Sequence, residues 1–368
     1  MAPRIAVMAG GTGGHVFPAL AVAHELRARG AEPFWMGTRA GLEARLVPEH
    51  GFEIEWLRVQ GLRGKGMKTL AMAPWRLMVA LREAGQVLRR RTPDLVLGMG
   101  GFVSGPGGLM AWRQGRRLVI QEQNSVPGMT NQWLARLADR VFEGFPGSFH
   151  VARAAITSGN PLRAEIAALP PPAERWAGRL AEAGSQKLGT RARLFVLGGS
   201  LGARALNQMV PQALARLPEA LRPEVRHQAG ERTLGLAQQA YREAGVRADI
   251  QPFVTDMAEA YAWADLMICR AGALTVAEIA AVGVPAIFVP FPYAVDNHQV
   301  GNAEYLVRAG AANLLLESDL SAETLAGPLK VLLADPARRL KMAEAARAKA
   351  RPDAAARIAD ACMELVAS

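Results

Sequence analysis

An α/β fold of two doubly wound parallel-sheet domains is predicted by three observations. Short apolar runs alternate with amphipathic helical stretches along nearly the whole chain, as when parallel strands are joined by crossover helices. The alternation pauses once, across residues 161–190, and then restarts. Each half opens with the same device, an apolar strand running into a glycine-rich turn and a helix. At 368 residues the chain suits two domains better than one.

In the first half, strands are expected at "RIAVMAG", "PFWMG", "EIEWLRV", "DLVLGMG", "RLVIQE", "RVFEGF" and "AAITSG". Helical stretches such as "PALAVAHELRARG" and "MTNQWLARLADR" lie between them. The uncharged run 95–112 approaches a membrane span in length. Six of its residues are glycine, so it reads as strand, loop and helix start. In the second half, strands are expected at "RLFVLGGS", "EVRHQAG", "DIQPFV", "LMICRAG", "VPAIFVPF" and "AANLLLE". The last stretch reads as helix with a break at Arg351-Pro352. The expected division is a first domain 1–162, a Pro-rich linker or insertion 163–190, a second domain 191–345, and a C-terminal helix 346–368 packing back toward the first domain. Ligands of such sheets bind outside the carboxyl ends of the strands. Two of them facing each other leave a cleft that suits an enzyme joining two substrates.

Composition excludes several classes. Half the residues are hydrophobic and 21% are charged, which argues against extended disorder. Cys269 and Cys362 have no metal-ligand spacing and read as buried or incidental thiols, in keeping with a reducing compartment. No signal peptide is expected at the N-terminus. The net charge of +10 is one-sided: residues 1–160 hold 20 basic and 11 acidic side chains, and the remainder is nearly balanced. A basic first domain points to an anionic partner. An anionic membrane surface is expected over nucleic acid, because no nucleic-acid motif accompanies the charge.

Glycine-rich turns carry the chemistry. "GGTGGHVF" and "GMGGFVSGPGG" follow two strands of the first half, and "GGSLGAR" opens the second. Glycines admit a ligand to the backbone, and a helix N-terminus supplies N–H groups and partial positive charge. Tight helix–sheet packing would ask for the same glycines. No acidic residue follows the turn of the second half at the interval a dinucleotide site requires, so an NAD-dependent oxidoreductase is disfavoured. In "CRAGALTVAEIAAVG", Ala273 starts a helix able to hold a diphosphate, and Glu278 could accept ribose hydroxyls. A capping box between Thr275 and Glu278 would leave the same local pattern.

The ordered blocks "GGTGGHVFPALAVA", "GLRGKG", "GMGGFVSGPGG", "EQNSVPGMTN", "GNPLR", "GGSLGARALN", "AYAWADLMICRAGALTVAEIA" and "NAEYLVRAGAA" together resemble the MurG family. The resemblance implies the GT-B architecture, two facing Rossmann-like domains. It implies inverting transfer of GlcNAc from UDP-GlcNAc to the 4-hydroxyl of MurNAc-pentapeptide carried on pyrophosphoryl-undecaprenol (lipid I), giving lipid II for peptidoglycan. The first domain would then bind the acceptor and the membrane, and the second UDP-GlcNAc. By motif, the implied donor contacts are Thr12, Gly13, Gly14, Asn124, Arg163, Ser200, the Val254 backbone, Ala273, Leu274, Thr275, Val276, Ala277, Glu278 and Gln299. His298 departs from the adjacent glutamines common in the family, which weakens the match at Gln299. The acceptor pyrophosphate would meet Gly11, Gly13, Gly14, Gly100, Gly101 and Ser104.

Inverting transfer needs a base to take the acceptor's proton. His15 is one candidate, although a histidine at a helix start also serves as a capping or packing residue; Glu122 is the other. No Asp-x-Asp pair occurs, so no obligatory metal and no cofactor are expected. The resemblance implies a lipid acceptor, which would place the enzyme peripherally at the cytoplasmic face of the bacterial inner membrane and leave room for association with other cell-wall enzymes. Residues 68–91 set Leu70, Trp75, Leu77, Met78 and Leu81 beside Lys68 and several arginines, with Trp112 and its arginines nearby. That is the pattern of an interfacial helix, or of an ordinary core helix with a solvated basic face. A UDP-GlcNAc 2-epimerase, another GT-B UDP-sugar transferase and a non-catalytic UDP-GlcNAc-binding membrane adaptor are the competing readings.

Overall fold

A computed structural model describes residues 2–59, 72–149, 154–182, 191–199, 202–294 and 297–368. The chain divides into two compact units, one of residues 1–163 with 351–368, the other of residues 164–350.

The first unit holds seven strands: β1 (Arg4–Met8), β2 (Glu32–Gly37), β3 (Ile54–Trp56), β4 (Leu95–Gly98), β5 (Arg117–Glu122), β6 (Arg140–Glu143) and β7 (Ile156–Thr157). They form one sheet in the order β3-β2-β1-β4-β5-β6-β7, with every pair parallel. The central strands β1 and β4 are covered on both faces, which is why they read as near-continuous apolar runs. Alternation along β1 confirms it. Ile5 and Val7 enter one core with Val16, Leu20 and Leu26, whereas Ala6 and Met8 enter the other with Val103 and Ile120.

The second unit repeats the plan with β8 (Arg193–Leu197), β9 (Glu224–Gln228), β10 (Asp249–Gln251), β11 (Leu266–Cys269), β12 (Ala286–Phe288) and β13 (Ala312–Leu314). Its order is β10-β9-β8-β11-β12-β13, again all parallel. In each sheet the order reverses beside the first strand, between β1 and β4 and between β8 and β11. Crevices for ligands form at these switch points, and the glycine-rich turns leave the sheets there.

One segment differs from the division expected. Residues 164–182, read as part of a linker, belong to the second unit. There the Arg175 guanidinium donates to the carbonyls of Val282 and Gly283 at 2.8 and 2.7 Å, at the C-terminal end of helix Ala273–Val282. The terminal helical stretch is split: Pro336–Arg347 stays in the second unit, and Ala354–Ala367 belongs to the first. Ile358 and Cys362 of that last helix join the core beneath helix Gly13–Ala28.

Candidate active site

The two glycine turns of the first unit touch. Gly100 and Gly101 have φ of +100° and +83°, backbone that favours glycine. A Cβ on Gly101 would lie 2.5 Å from the Gly10 carbonyl oxygen, and one on Gly100 would lie 2.5 Å from His15 Nδ1. The turn after β4 is therefore pressed against the turn after β1 and against the histidine.

Several residues expected to hold the acceptor's pyrophosphate make internal contacts. The Gly11 N–H donates to Glu43 Oε2 at 2.9 Å. Ser104 is fully buried, and its hydroxyl lies 2.9 Å from the Gly100 carbonyl and 3.2 Å from that of Met8. Gly100 and Gly101 serve the packing just described. Gly13 and Gly14 differ. They open helix Gly13–Ala28, where first-turn N–H groups have no intrahelical partner. Thr12, the N-cap residue, makes no side-chain capping bond, and the first turn has no acidic residue. A Cβ on Gly14 would meet only the Thr12 hydroxyl, at 3.7 Å, so the space above it is open to an anion.

His15 is half-buried, and its Nδ1 lies 2.8 Å from Gln123 Oε1. Gln123 in turn donates from Nε2 to the Met99 carbonyl at 2.8 Å and to Gln121 Oε1. Glu122 belongs to a different network. It is 2% exposed. Its Oε1 accepts the N–H and side-chain amide of Asn124 at 2.9 and 3.1 Å; its Oε2 accepts the Gly128 N–H at 3.1 Å and the Asn131 amide at 2.8 Å. Successive strand residues point to opposite faces, which separates Glu122 from Gln121 and Gln123. Four donors on one buried carboxylate make a loop anchor, and the Asn124 side chain is aligned by it.

In the second unit, helix Ala273–Val282 begins at Gly272, with no side-chain cap and no acid in its first turn. Thr275 lies inside the helix, so the capping-box alternative fails. Ala273, Leu274, Thr275, Val276 and Ala277 form the opening turns. Glu278 is 3% exposed, and its Oε2 accepts the Tyr261 hydroxyl at 2.9 Å. The Val254 N–H is taken by Gln228 Oε1 at 3.0 Å. Gln299 Oε1 accepts the Phe291 N–H at 2.9 Å. Arg163, in the first unit, lies over the Phe17 ring at 5.3 Å. Ser200 lies outside the described residues.

Helix Ala73–Arg91 buries Ala80, Ala84, Val87 and Leu88. Its first turns leave Met72, Trp75, Leu77 and Met78 exposed, Trp75 by 63%. Leu81 is half-buried, and Leu70 lies outside the described residues. Helix Ser104–Arg113 packs alongside through Gly85, where a Cβ would lie 2.8 Å from Met110, and exposes Leu109 and Trp112. Phe102, Met129 and Trp133, not singled out from sequence, are also exposed. Sequence offered no separation of these from core residues, because exposure is decided by the neighbouring helices. Of the basic residues, Arg90 pairs with Glu55 at 2.6 Å and Arg91 with Glu53. Among the described residues, Arg76, Arg82, Arg89 and Arg113 have no such partner. No described helix is long and apolar enough to cross a membrane.

Residues 5–143 match the glycosyltransferase family 28 N-terminal domain and residues 193–358 its C-terminal domain. A protein of Alkalilimnicola ehrlichii named UDP-N-acetylglucosamine--N-acetylmuramyl-(pentapeptide) pyrophosphoryl-undecaprenol N-acetylglucosamine transferase is 57% identical, over 99% of both chains. The crystal structure of Acinetobacter baumannii MurG superposes with a TM-score of 0.82 at 37% identity, covering 98% of this chain and 99% of that one. A Neisseria meningitidis UDP-GlcNAc 2-epimerase, at 12% identity and a TM-score of 0.67 over 98% of this chain and 100% of its own, shares the fold alone. With both halves matched and a full-length relative at more than half identity, the chain belongs to the MurG family of glycosyltransferases.

Proposed function

We propose that the protein transfers GlcNAc from UDP-GlcNAc to the 4-hydroxyl of MurNAc-pentapeptide on pyrophosphoryl-undecaprenol, with inversion, to make lipid II. The substrates follow from the name of its full-length relatives. The observation that carries the chemistry is the placement of His15, a half-buried imidazole wedged between two glycine turns at the start of an uncapped helix.

His15 takes the proton of the acceptor hydroxyl as that oxygen attacks the anomeric carbon. Base catalysis of this kind contributes roughly 10²–10⁴-fold. The Gly13 and Gly14 N–H groups receive the acceptor's pyrophosphate, with Thr12 at the donor's edge. The opening turns of helix Ala273–Val282 meet the diphosphate of departing UDP with preorganised positive charge. Glu278 accepts the ribose hydroxyls. In the first unit, Asn124, aligned by Glu122, addresses the sugar and Arg163 contacts the donor; in the second, Gln299 reaches sugar hydroxyls. Ser200 and the Val254 backbone complete the donor site.

The protein works peripherally at the cytoplasmic face of the inner membrane. Trp75, Leu77, Met78 and Trp112 enter the lipid interface, and Arg76, Arg82, Arg89 and Arg113 meet anionic headgroups. An exposed face this apolar is what distinguishes an interfacial helix from an ordinary amphipathic one.

Incubation with labelled UDP-GlcNAc, with and without lipid acceptor, tests the reading. Acceptor-dependent label in the lipid fraction is expected. Conversion of the sugar nucleotide without acceptor would instead indicate an epimerase.

A further inference from the structure

The amide of Gln123 can face only one way. The residue is 1% exposed. One end lies 2.8 Å from the Met99 carbonyl, which only accepts, so that end is Nε2. The other end, Oε1, is therefore the atom 2.8 Å from His15 Nδ1. An amide oxygen carries no proton, so Nδ1 must supply it. In neutral imidazole this leaves the lone pair on Nε2.

Two more buried amides hold this orientation. Gln121 donates from Nε2 to the Glu122 carbonyl at 3.0 Å and to Asn160 Oδ1 at 3.2 Å, which turns its Oε1 toward Gln123 Nε2. Asn160 donates from Nδ2 to the Gln123 carbonyl at 2.9 Å. A backbone carbonyl thus sets the direction of every amide in the chain. Rotating the Gln123 amide by half a turn would place its oxygen against the Met99 carbonyl and Gln121 Oε1, two acceptor–acceptor contacts in a buried site.

We propose that Gln123 is a positioning residue that fixes His15 as the Nδ1–H tautomer and presents Nε2 as the base, with Gln121 and Asn160 locking Gln123. This rests on the reading of His15 as the base. The partner is neutral, unlike a carboxylate, and orients the imidazole through the hydrogen bond alone.

The test combines three variants and one spectrum. In His15→Ala, kcat should fall by about 10²–10⁴-fold with UDP affinity retained; an unchanged kcat would remove the base reading itself. In Gln123→Met, which keeps the volume and loses the acceptor, kcat should fall about ten- to a hundredfold, part of what base catalysis contributes, again with UDP affinity retained. Loss in His15→Ala with full activity in Gln123→Met would overturn the positioning role alone. Gln123→Glu restores an acceptor and adds charge. It should recover part of kcat and move the acid limb of the pH–rate profile to higher pH; an unmoved limb counts against the contact. Nitrogen-15 spectra of the unaltered protein, with His15 assigned by difference from His15→Ala, should report a protonated Nδ1 and a bare Nε2 in the neutral form. The opposite tautomer would overturn the proposal whatever the variants do.

Discussion

The carboxylate of Glu43 accepts the backbone N–H of Gly11 at 2.9 Å while fully buried. Its other oxygen accepts the N–H and hydroxyl of Thr38 at 3.0 and 2.7 Å. The turn carrying His15 is thereby tied to the end of β2. Gly11 sits at φ +93°, a conformation the turn must hold without help from a side chain of its own.

Glu43→Gln should therefore loosen the turn. One end of an amide would face donors with a donor of its own. Leaving a buried group unsatisfied costs about 1–3 kcal/mol. Urea unfolding should show that loss, and kcat should fall with it.

Arg175 supports the proposed diphosphate helix from its far end. Its guanidinium is held by the carbonyls of Val282 and Gly283, and its pKa is pulled down to about 10, chiefly by burial and further by Arg347. Arg175→Met keeps much of the volume and leaves those carbonyls unpaired. A stability loss of about 1–3 kcal/mol is expected, with weaker UDP binding by calorimetry.

The apolar face should set membrane affinity separately from chemistry. Trp75→Ser with Met78→Ser removes two exposed side chains that would be buried in lipid. Partition onto anionic vesicles should fall at least about tenfold, from the apolar area lost. Turnover of a short-chain soluble acceptor should hold.

His227 predicts a pH dependence of stability. It is fully buried, with Nδ1 3.1 Å from the Tyr241 hydroxyl, and burial lowers its pKa from 6.5 to about 3. The unfolded chain takes a proton below pH 6.5, while the folded protein refuses it until about pH 3. This contribution is complete above pH 6.5 and is lost as pH falls from 6.5 toward 3. Urea midpoints measured across that window should fall less steeply in His227→Gln.

All thirteen described strands were legible in the sequence; those buried along their length, such as β4 and β11, left continuous apolar runs. The turns at Gly10–Gly14 and Gly100–Gly101 were legible too, but not the division of labour within them. Whether a glycine serves a ligand or a neighbouring backbone depends on what the fold brings opposite it. The amides of Gln121, Gln123 and Asn160 escaped notice for a related reason. Their partners stand up to 108 positions apart, and a buried glutamine looks the same in sequence as a solvated one. Glu122 drew attention because carboxylates do chemistry. Its neighbours on either side, pointing to the other face, are the ones that reach toward His15.

The return of the final helix to the first unit sets an order on biosynthesis. Ile358 and Cys362 complete a core begun by Ile5 and Val7, so the opening half leaves the ribosome with that core uncovered. The whole of 164–350 must be made before the covering helix emerges. At ordinary elongation speeds that delay is about 10–40 s. A nascent first unit exposing apolar surface for so long is a natural client for chaperones, and truncation after residue 350 should yield an aggregating chain, not a minimal enzyme.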